Sequence, residues 1–394
     1  MRRNVLLLAL AQALLLTGNV LVVSTASLVG RRLAENPALA TLPVATQLIG
    51  TMLTTIPASL LMARIGRRAG FALGAALGLT GALIAVMAIV GRNFPLFATG
   101  TTLIGIFNGF GVYYRFAAAD AATPEYRSRA VSYVLAGGVV AAVAGPTLAR
   151  WTRTAVEGAD FAGSYAVLTL VYGAAVIVPL LTSLSRPPRG PDLAPKGRPL
   201  RLIASQPAFF VAMLAGTLGY AVMVLLMTAT PLAMESKTHA FELIAFVIQA
   251  HVLGMFLPSF FTGSLIRRFG VLEIMLVGAV LAAAAVAVNL AGATGAHFSV
   301  GLLLLGVGWN FLFVGATTLV AETYRPEERA KAQALNDFVV WTAVTLASLS
   351  AGALLYQFGW TSVNLGAIPL VLLAGAAILW LRLAPARSTT GEEA

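Results

Sequence analysis

The chain contains no cysteine and only three histidines among its 394 residues. The missing cysteines exclude disulfide bonds, thiolate metal sites and thiol catalysis within this chain. Charged residues are also scarce, at 10%, whereas 59% of the residues are hydrophobic. Soluble proteins have about a quarter charged residues. These proportions place the chain in a membrane.

The sequence also lacks the parts of an enzyme or of a nucleic-acid-binding protein. It has no nucleotide-binding loop, no metal-hydrolase motif and no nucleophile paired with a base in a loop. The formal net charge is +11, but the basic residues form short groups between apolar segments instead of one patch or tail. We therefore expect no catalytic residues, no cofactor and no nucleic-acid partner.

Long apolar runs make up most of the sequence. Runs of about 17 to 25 residues cross a bilayer as helices, and twelve of them predict an all-α integral membrane protein. Residues 186–205 are rich in proline and basic residues and predict an extended cytoplasmic linker, between an N-terminal half, 1–185, and a C-terminal half, 206–394, with a short cytoplasmic tail. The predicted spans lie near 4–29, 39–62, 69–91, 94–118, 130–150, 163–185, 207–233, 240–264, 271–293, 297–319, 332–355 and 363–383.

Basic residues are distributed unequally between alternate loops. With the N-terminus in the cytoplasm, nineteen Lys and Arg fall on the cytoplasmic side, six fall on the opposite side, and Arg115 lies inside a span. Cytoplasmic loops of membrane proteins carry such an excess. Both termini are therefore predicted to be cytoplasmic.

The two halves repeat each other at corresponding loops and spans. The second predicted span leads into "MARIGRR" and the eighth into "SLIRRFG". Matches in corresponding places indicate a duplication of six spans. At offsets of 202 to 204 the aligned pairs are Gln47 with His251, Arg64 with Arg268, Gly66 with Gly270, Asn108 with Asn310, and Asp120 with Glu322.

This organisation resembles the major facilitator superfamily of secondary transporters over essentially the whole chain. The shared features are twelve spans in two halves, a long central loop, and a basic turn with glycine after spans 2 and 8. The resemblance implies alternating access about a central site, in a bacterial cytoplasmic membrane. Ala63 and Arg267 stand where the loop motif usually has Asp, and Gly105 where many members have Arg. These departures concern gating contacts and leave the fold unaffected.

Four side chains with soft donor atoms recur at helical spacing on two consecutive spans. Positions i and i+4 share a helix face, which pairs Met223 with Met227 and His251 with Met255. Thioether sulfur favours Cu(I), and imidazole binds either oxidation state of copper. The pattern predicts a copper site near the bilayer centre. Methionines that only fill apolar helices, and a hydrogen-bonded structural histidine, are the alternatives.

The same four residues carry a narrower resemblance. A Met-x-x-x-Met motif in helix 7 with a His-x-x-x-Met motif in helix 8 is typical of the CcoA-like copper importers, a bacterial group within the superfamily. The resemblance implies copper uptake that supplies assembly of a haem-copper oxidase of the cbb type, with copper as substrate and not as cofactor. Members of that group can carry cysteines, so the absence of cysteine from this chain is a departure.

Other polar residues inside the spans are predicted to line the transport pathway or to join helices. The cavity-lining candidates are Asn19, Gln47, Asn108 and Asn310. Charged residues near the cytoplasmic ends of the helices are candidates for gating contacts, and they are Arg64, Arg115, Asp120, Arg268 and Asp337.

The function predicted first is therefore copper import by alternating access. Two alternatives stay open. One is transport of a small organic solute, riboflavin-like or drug-like, in a pocket of methionines and aromatic residues. The other is a transporter-like copper sensor that binds its ion without moving it. The expected partners are the lipid bilayer and an unknown cytoplasmic copper acceptor, and the superfamily resemblance implies a monomer.

Overall fold

The computed structural model describes residues 2–123, 127–184, 197–325 and 328–384. Most of these residues form helices, and no β-strand occurs among them. The helices are α1 Arg2–Leu33, α2 Leu42–Ile65, α3 Arg67–Val90, α4 Phe94–Gly111, α5 Tyr114–Asp120, α6 Arg127–Thr152, α7 Ala162–Leu180, α8 Leu200–Ala204, α9 Pro207–Ser236, α10 Phe241–Phe256, α11 Ser259–Phe269, α12 Val271–Ala291, α13 Gly295–Ala321 and α14 Arg329–Leu383.

The predicted membrane spans are recovered in these described ranges. Nine helices are long and apolar enough to cross a membrane, and the bent pair of α10 and α11 makes ten. The 26 residues of α6 are long enough for a further span. The last helix, α14, contains two spans on either side of a break at Gly359. The prediction of an all-α membrane protein is confirmed.

Several predicted boundaries differ from the structure. The fourth span keeps its predicted bounds, Phe94–Ala118, with a turn between α4 and α5. The eighth bends by 43° between α10 and α11. Spans 11 and 12 form one helical run that turns at Gly359, where φ is 78°, instead of being joined by a loop. Within the predicted linker, Leu200–Ala204 is a short helix and not extended chain, while the part before residue 197 lies outside the described residues.

Two glycines show the duplication at the level of the backbone. Gly66 joins α2 to α3 with φ 90° and ψ 153°, and Gly270 joins α11 to α12 with φ 99° and ψ 152°. Side chains disfavour such positive φ values, whereas glycine adopts them readily. The equivalence predicted from the sequence therefore holds in the conformation of both turns.

Helix packing places an interface between the two halves. In the N-terminal half α1 packs mainly on α6 and α7, and in the C-terminal half α9 packs mainly on α14 and α13. The halves meet where α6 contacts α10, α2 contacts α14, and α1 contacts α9. Within the described residues α4 and α13 form no packed pair.

Candidate functional site

Three of the predicted cavity residues form one cluster, which we call the amide cluster: Asn19 on α1, Gln47 on α2 and Asn108 on α4. Gln47 Nε2 donates to Asn19 Oδ1 at 2.5 Å, and Asn108 Nδ2 donates to the same oxygen at 3.3 Å. Gln47 Oε1 and Asn108 Oδ1 are buried and accept no hydrogen bond from the described residues. The cluster thus presents two unsatisfied acceptors near mid-membrane.

Asn310, the fourth predicted cavity residue, has a different environment. It is 1% exposed, and its Nδ2 donates to Met255 O at 2.7 Å and to Ser259 Oγ at 2.6 Å. Thr262 Oγ1 donates to its Oδ1 at 2.6 Å. The helical direction changes beside Pro258, so backbone carbonyls at the bend between α10 and α11 need another donor. Asn310 supplies that donor and joins α13 to both helices.

His251 occupies the place in the C-terminal half that Gln47 occupies in the other. The carbonyl of Gln47 lies against Gly105 and that of His251 against Gly306, so closely that a side chain at either glycine would collide with it. His251 is fully buried. Its Nδ1–H donates to Leu302 O at 2.7 Å, and Nε2 has no partner among the described residues. This tautomer leaves Nε2 free as an acceptor or a metal ligand.

The three methionines of the predicted copper site are buried as well, Met223 at 1% and Met227 and Met255 at 8% exposure. Two of them lie on α9, which packs mainly on α13 and α14 and only slightly on α10, the helix of His251. The helix packing thus provides no broad contact surface shared by the four predicted ligands.

Four aromatic side chains form a second cluster, which we call the aromatic cluster: Tyr220 on α9, Trp309 and Phe313 on α13, and Trp341 on α14. Trp309 and Phe313 stack with ring centroids 4.9 Å apart and 9° between their planes. The Tyr220 ring contacts both of them edge-on, with ring centroids 5.1 and 5.4 Å away, and its centroid lies 6.0 Å from that of Trp341. Tyr220, Phe313 and Trp341 are half-buried. The cluster offers aromatic surface for a planar ligand.

Ion pairs and aromatic contacts close one face of the membrane domain. We call the face with residue 2 the inner face and the opposite one the outer face. At the outer face Arg31 and Arg32 lie 3.7 and 3.8 Å from Glu235 of the other half. Phe161 and Phe241 also meet across the halves, at 5.1 Å between centroids, and Arg153 lies over both rings. These contacts therefore hold the two halves together at the outer face.

Asp160 strengthens this closure from the N-terminal half. It accepts from Arg32 at 2.7 Å and from Arg153 at 3.3 Å. Burial alone would raise the pKa of Asp160, but the hydrogen bonds and charges of Arg32 and Arg153 outweigh it and hold the pKa below its ordinary value. The carboxylate thus stays ionised and fixes the two cations that contact the C-terminal half.

The predicted gating residues lie at or near the inner face. Asp120 pairs with Arg67, at 2.6 Å, within the N-terminal half. Arg115 interacts electrostatically with Asp337 of the other half. Arg64 and Arg268 are exposed, and the guanidinium of Arg268 lies over the Phe269 ring. Arg115 and Asp337 are therefore the members of this predicted set that are placed to respond when the halves move.

Loss of Arg32 is expected to loosen the outer face. Arg32→Gln removes the Asp160 bond, the Glu235 pair and the contact with the Phe161 ring. Of these contacts the Glu235 pair joins the two halves, and an exposed pair contributes up to about 1 kcal/mol, so the open population is expected to rise roughly fivefold. Spin labels on exposed Glu35→Cys and Thr361→Cys would report a longer distance, without competing native cysteines. Unchanged distances in Arg32→Gln, as in the control Arg150→Gln, would contradict the closure.

Sequence reasoning missed the aromatic cluster as a unit, and it missed Arg67 and the outer-face contacts. Trp309 and Phe313 stand at i and i+4 on one predicted span, which is a usable signal for a shared face. Tyr220 and Trp341 lie on other helices, and only the packing of α9, α13 and α14 brings them to the same place. The Arg67–Asp120 and Arg32–Glu235 pairs likewise join residues distant in sequence.

Known proteins match nearly the whole chain in sequence and in fold. The family model of the Major Facilitator Superfamily matches residues 8–237 and 213–394. The riboflavin transporter RfnT of Brucella anthropi is 42% identical over 390 residues, which is 98% of this chain and 96% of that protein. An uncharacterised transporter of the superfamily, YddS of Bacillus subtilis, is 26% identical over 91% of this chain and 86% of its own length.

Solved structures show the same fold at low identity. A D-xylose–proton symporter superposes with a TM-score of 0.72 at 16% identity, over 96% of both chains. A bacterial homologue of the human lysosomal transporter Spinster, in an inward-facing and occupied conformation, superposes with a TM-score of 0.71 at 16% identity, also over 96% of both chains. The sequence match and the fold agree, and the chain belongs to the Major Facilitator Superfamily of transporters.

Proposed function

We propose that the protein carries riboflavin or a closely related flavin across the bacterial cytoplasmic membrane by alternating access. The observation that carries the proposal is the 42% identity to a riboflavin transporter over nearly the full length of both chains. The predicted copper family receives no such support, because that relative's name specifies an organic substrate. The proposal therefore takes up the organic-solute alternative from the sequence, and keeps the predicted orientation and inward direction.

The amide and aromatic clusters support an organic substrate. A flavin has a flat ring system that is apolar at its dimethylbenzene end and carries polar groups at its pyrimidine end. The aromatic cluster provides stacking surface, and the amide cluster provides neutral hydrogen-bonding groups at mid-membrane. Few, well-placed polar groups on an otherwise apolar and aromatic lining are typical of small-molecule sites. Amide oxygens, by contrast, are poor ligands for the soft ion Cu(I).

Copper transport remains the second candidate, and His251 is the observation that favours it. A buried imidazole whose Nδ1 is bonded to a backbone carbonyl and whose Nε2 is unpartnered has the arrangement seen in metal-binding histidines. Met255 follows it by one helical turn. In the riboflavin proposal the same nitrogen accepts a hydrogen bond from a polar group of the solute or from water.

Uptake by cells separates the two functions. Bacteria that cannot make riboflavin, and that lack their own flavin carrier, are expected to grow on micromolar riboflavin when they produce this protein. Radioactive copper uptake is expected to stay at the level of cells without it. The riboflavin proposal fails if growth is not rescued. Copper uptake that His251→Ala and Met255→Ala both abolish, at unchanged protein level, would establish the copper function instead.

A further inference from the structure

The duplication supplies an internal control for the amide cluster. Asn108 and Asn310 are equivalent in the repeat, yet both ends of the Asn310 amide are hydrogen-bonded within the protein. Asn108 uses its Nδ2 for Asn19, while its Oδ1 accepts nothing from the described residues. Helix packing in the equivalent place satisfies the whole amide. The free carbonyl of Asn108 is therefore not a requirement of the fold.

The amide cluster has both acceptors and a donor that form no hydrogen bond within the described residues. Gln47 Oε1 is a second unpartnered acceptor, on a side chain that is only 2% exposed. Asn19 accepts two bonds through Oδ1, and its Nδ2 donates to none of the described residues. A buried polar group left unpaired is destabilising. A ligand that offers both a donor and acceptors would satisfy these groups together.

The cluster also lies at the level of the aromatic cluster. Asn19 is 17 residues from the first residue of α1, and Tyr220 is 13 residues from the first residue of α9. At about 1.5 Å per residue both are about 20 to 26 Å from the inner ends of their helices. These two helices contact each other across the halves. A planar solute that reached both clusters would thus lie at one depth in the membrane.

We propose that Asn19, Gln47 and Asn108 bind the imide edge of the flavin pyrimidine ring. That edge presents a carbonyl, an N–H and a second carbonyl in a row. The ring N–H would donate to Asn108 Oδ1 or Gln47 Oε1, and a neighbouring carbonyl would accept from Asn19 Nδ2. The inference rests on the proposed function and specifies which part of the solute the protein recognises. The amides would then be specificity-determining residues.

The test blocks the imide on the ligand and needs no variant. 3-Methylriboflavin keeps the ring system and the ribityl chain but carries a methyl group in place of the imide hydrogen. Sites built to hydrogen-bond a donor reject analogues that lack it. In proteoliposomes with the wild-type protein, 3-methylriboflavin is expected to enter at least tenfold more slowly than riboflavin, and to compete at least tenfold more weakly.

Two matched variants test whether Asn108, in the N-terminal half, causes the preference for riboflavin over 3-methylriboflavin. Asn108→Leu is expected to keep the wild-type melting temperature, to raise the KM for riboflavin about fivefold, and to transport the two flavins at similar rates. Asn310→Leu removes a fully bonded amide, so it is expected to lower the melting temperature while the folded protein still prefers riboflavin. The ratio of the two rates is a readout that a merely structural role of Asn108 would not change.

The outcomes separate this inference from the function on which it rests. If the wild-type protein moves no riboflavin, both fail. If it moves riboflavin and 3-methylriboflavin equally well, the flavin function stands, and the proposal that the protein binds the imide edge is overturned. Discrimination that persists in Asn108→Leu and also in Asn19→Leu and Gln47→Leu would overturn the assignment to these residues. Discrimination lost in Asn108→Leu and kept in Asn310→Leu supports it.

Discussion

Replacing Tyr220 with Leu is expected to raise the KM for riboflavin about tenfold with little change in the amount of folded protein. Tyr220 contacts Trp309, Phe313 and Trp341 and is itself half-buried. Loss of an aromatic contact costs about 1.4 kcal/mol at the upper end of measured pair energies, which corresponds to a factor of about ten. Concentration-dependent uptake of radioactive riboflavin measures the effect.

Tyr220→Phe is the matched control for that variant. It keeps the ring and removes only the hydroxyl, so its KM is expected to stay within about twofold of the wild-type value. If Leu and Phe at this position behave alike, the ring does not contact the solute, and the aromatic cluster is not a stacking surface for the flavin. If both variants lose uptake and also lose folded protein, Tyr220 is a packing residue.

Replacing Glu328 with Gln is expected to cause the largest loss of stability at the inner face. The Glu328 side chain has no exposed surface. Its two oxygens accept from Arg198 Nε at 2.9 Å and Nη2 at 2.8 Å, and from the backbone N–H groups of Arg198 at 2.7 Å and Arg325 at 3.0 Å. The variant leaves the bidentate guanidinium without its counter-charge. We expect the melting temperature to fall on the order of 5 °C.

The pH dependence of that difference gives a second readout. The Arg198 side chain, together with the backbone N–H of Arg325, holds the pKa of Glu328 far below its ordinary value of about 4.5. A carboxylate with a lowered pKa stabilises the fold fully above the unfolded-state pKa and loses that contribution as the pH falls through the folded-state pKa. The gap between wild type and Glu328→Gln should therefore be constant near pH 7 and shrink below about pH 4.5.

Glu322→Gln is the control, because Glu322 is an exposed acid in the same inner-face turn. It is expected to melt within about 1 °C of the wild type. Equal melting temperatures for the Glu322 and Glu328 variants would show that the Arg198 clamp contributes nothing to stability. The clamp joins the described part of the linker to the start of α14. Its loss is therefore expected to affect the C-terminal half first.

Local chemistry was sufficient to predict much of the fold. A run of apolar residues has one stable form in a bilayer, the helix, because every backbone group must be paired internally. Glycine turns such as Gly66 and Gly270 carry the repeat in sequence and in backbone angles alike. The bend near Pro258 and the turn at Gly359 were missed. There the helical direction depends on which neighbouring side chains satisfy the freed backbone groups.

The candidate site was less accessible to sequence reasoning. Spacing along one helix relates Met223 to Met227 and His251 to Met255, and the copper prediction was built on those local pairs. The amide and aromatic clusters instead join residues on three helices each, so they follow from packing and not from spacing. Asn108 and Asn310 illustrate the limit, because equivalent positions in the repeat have different hydrogen-bond partners.

Flux through purified protein tests the central claim most directly. Proteoliposomes with the wild-type chain are to be given radioactive riboflavin, with copper, zinc and manganese compared in parallel. The account predicts saturable riboflavin entry, strongly reduced in Tyr220→Leu and retained in Tyr220→Phe, and no metal entry above that of empty liposomes. Copper entry that depends on His251 and Met255, with riboflavin entry no faster than in empty liposomes, would contradict it.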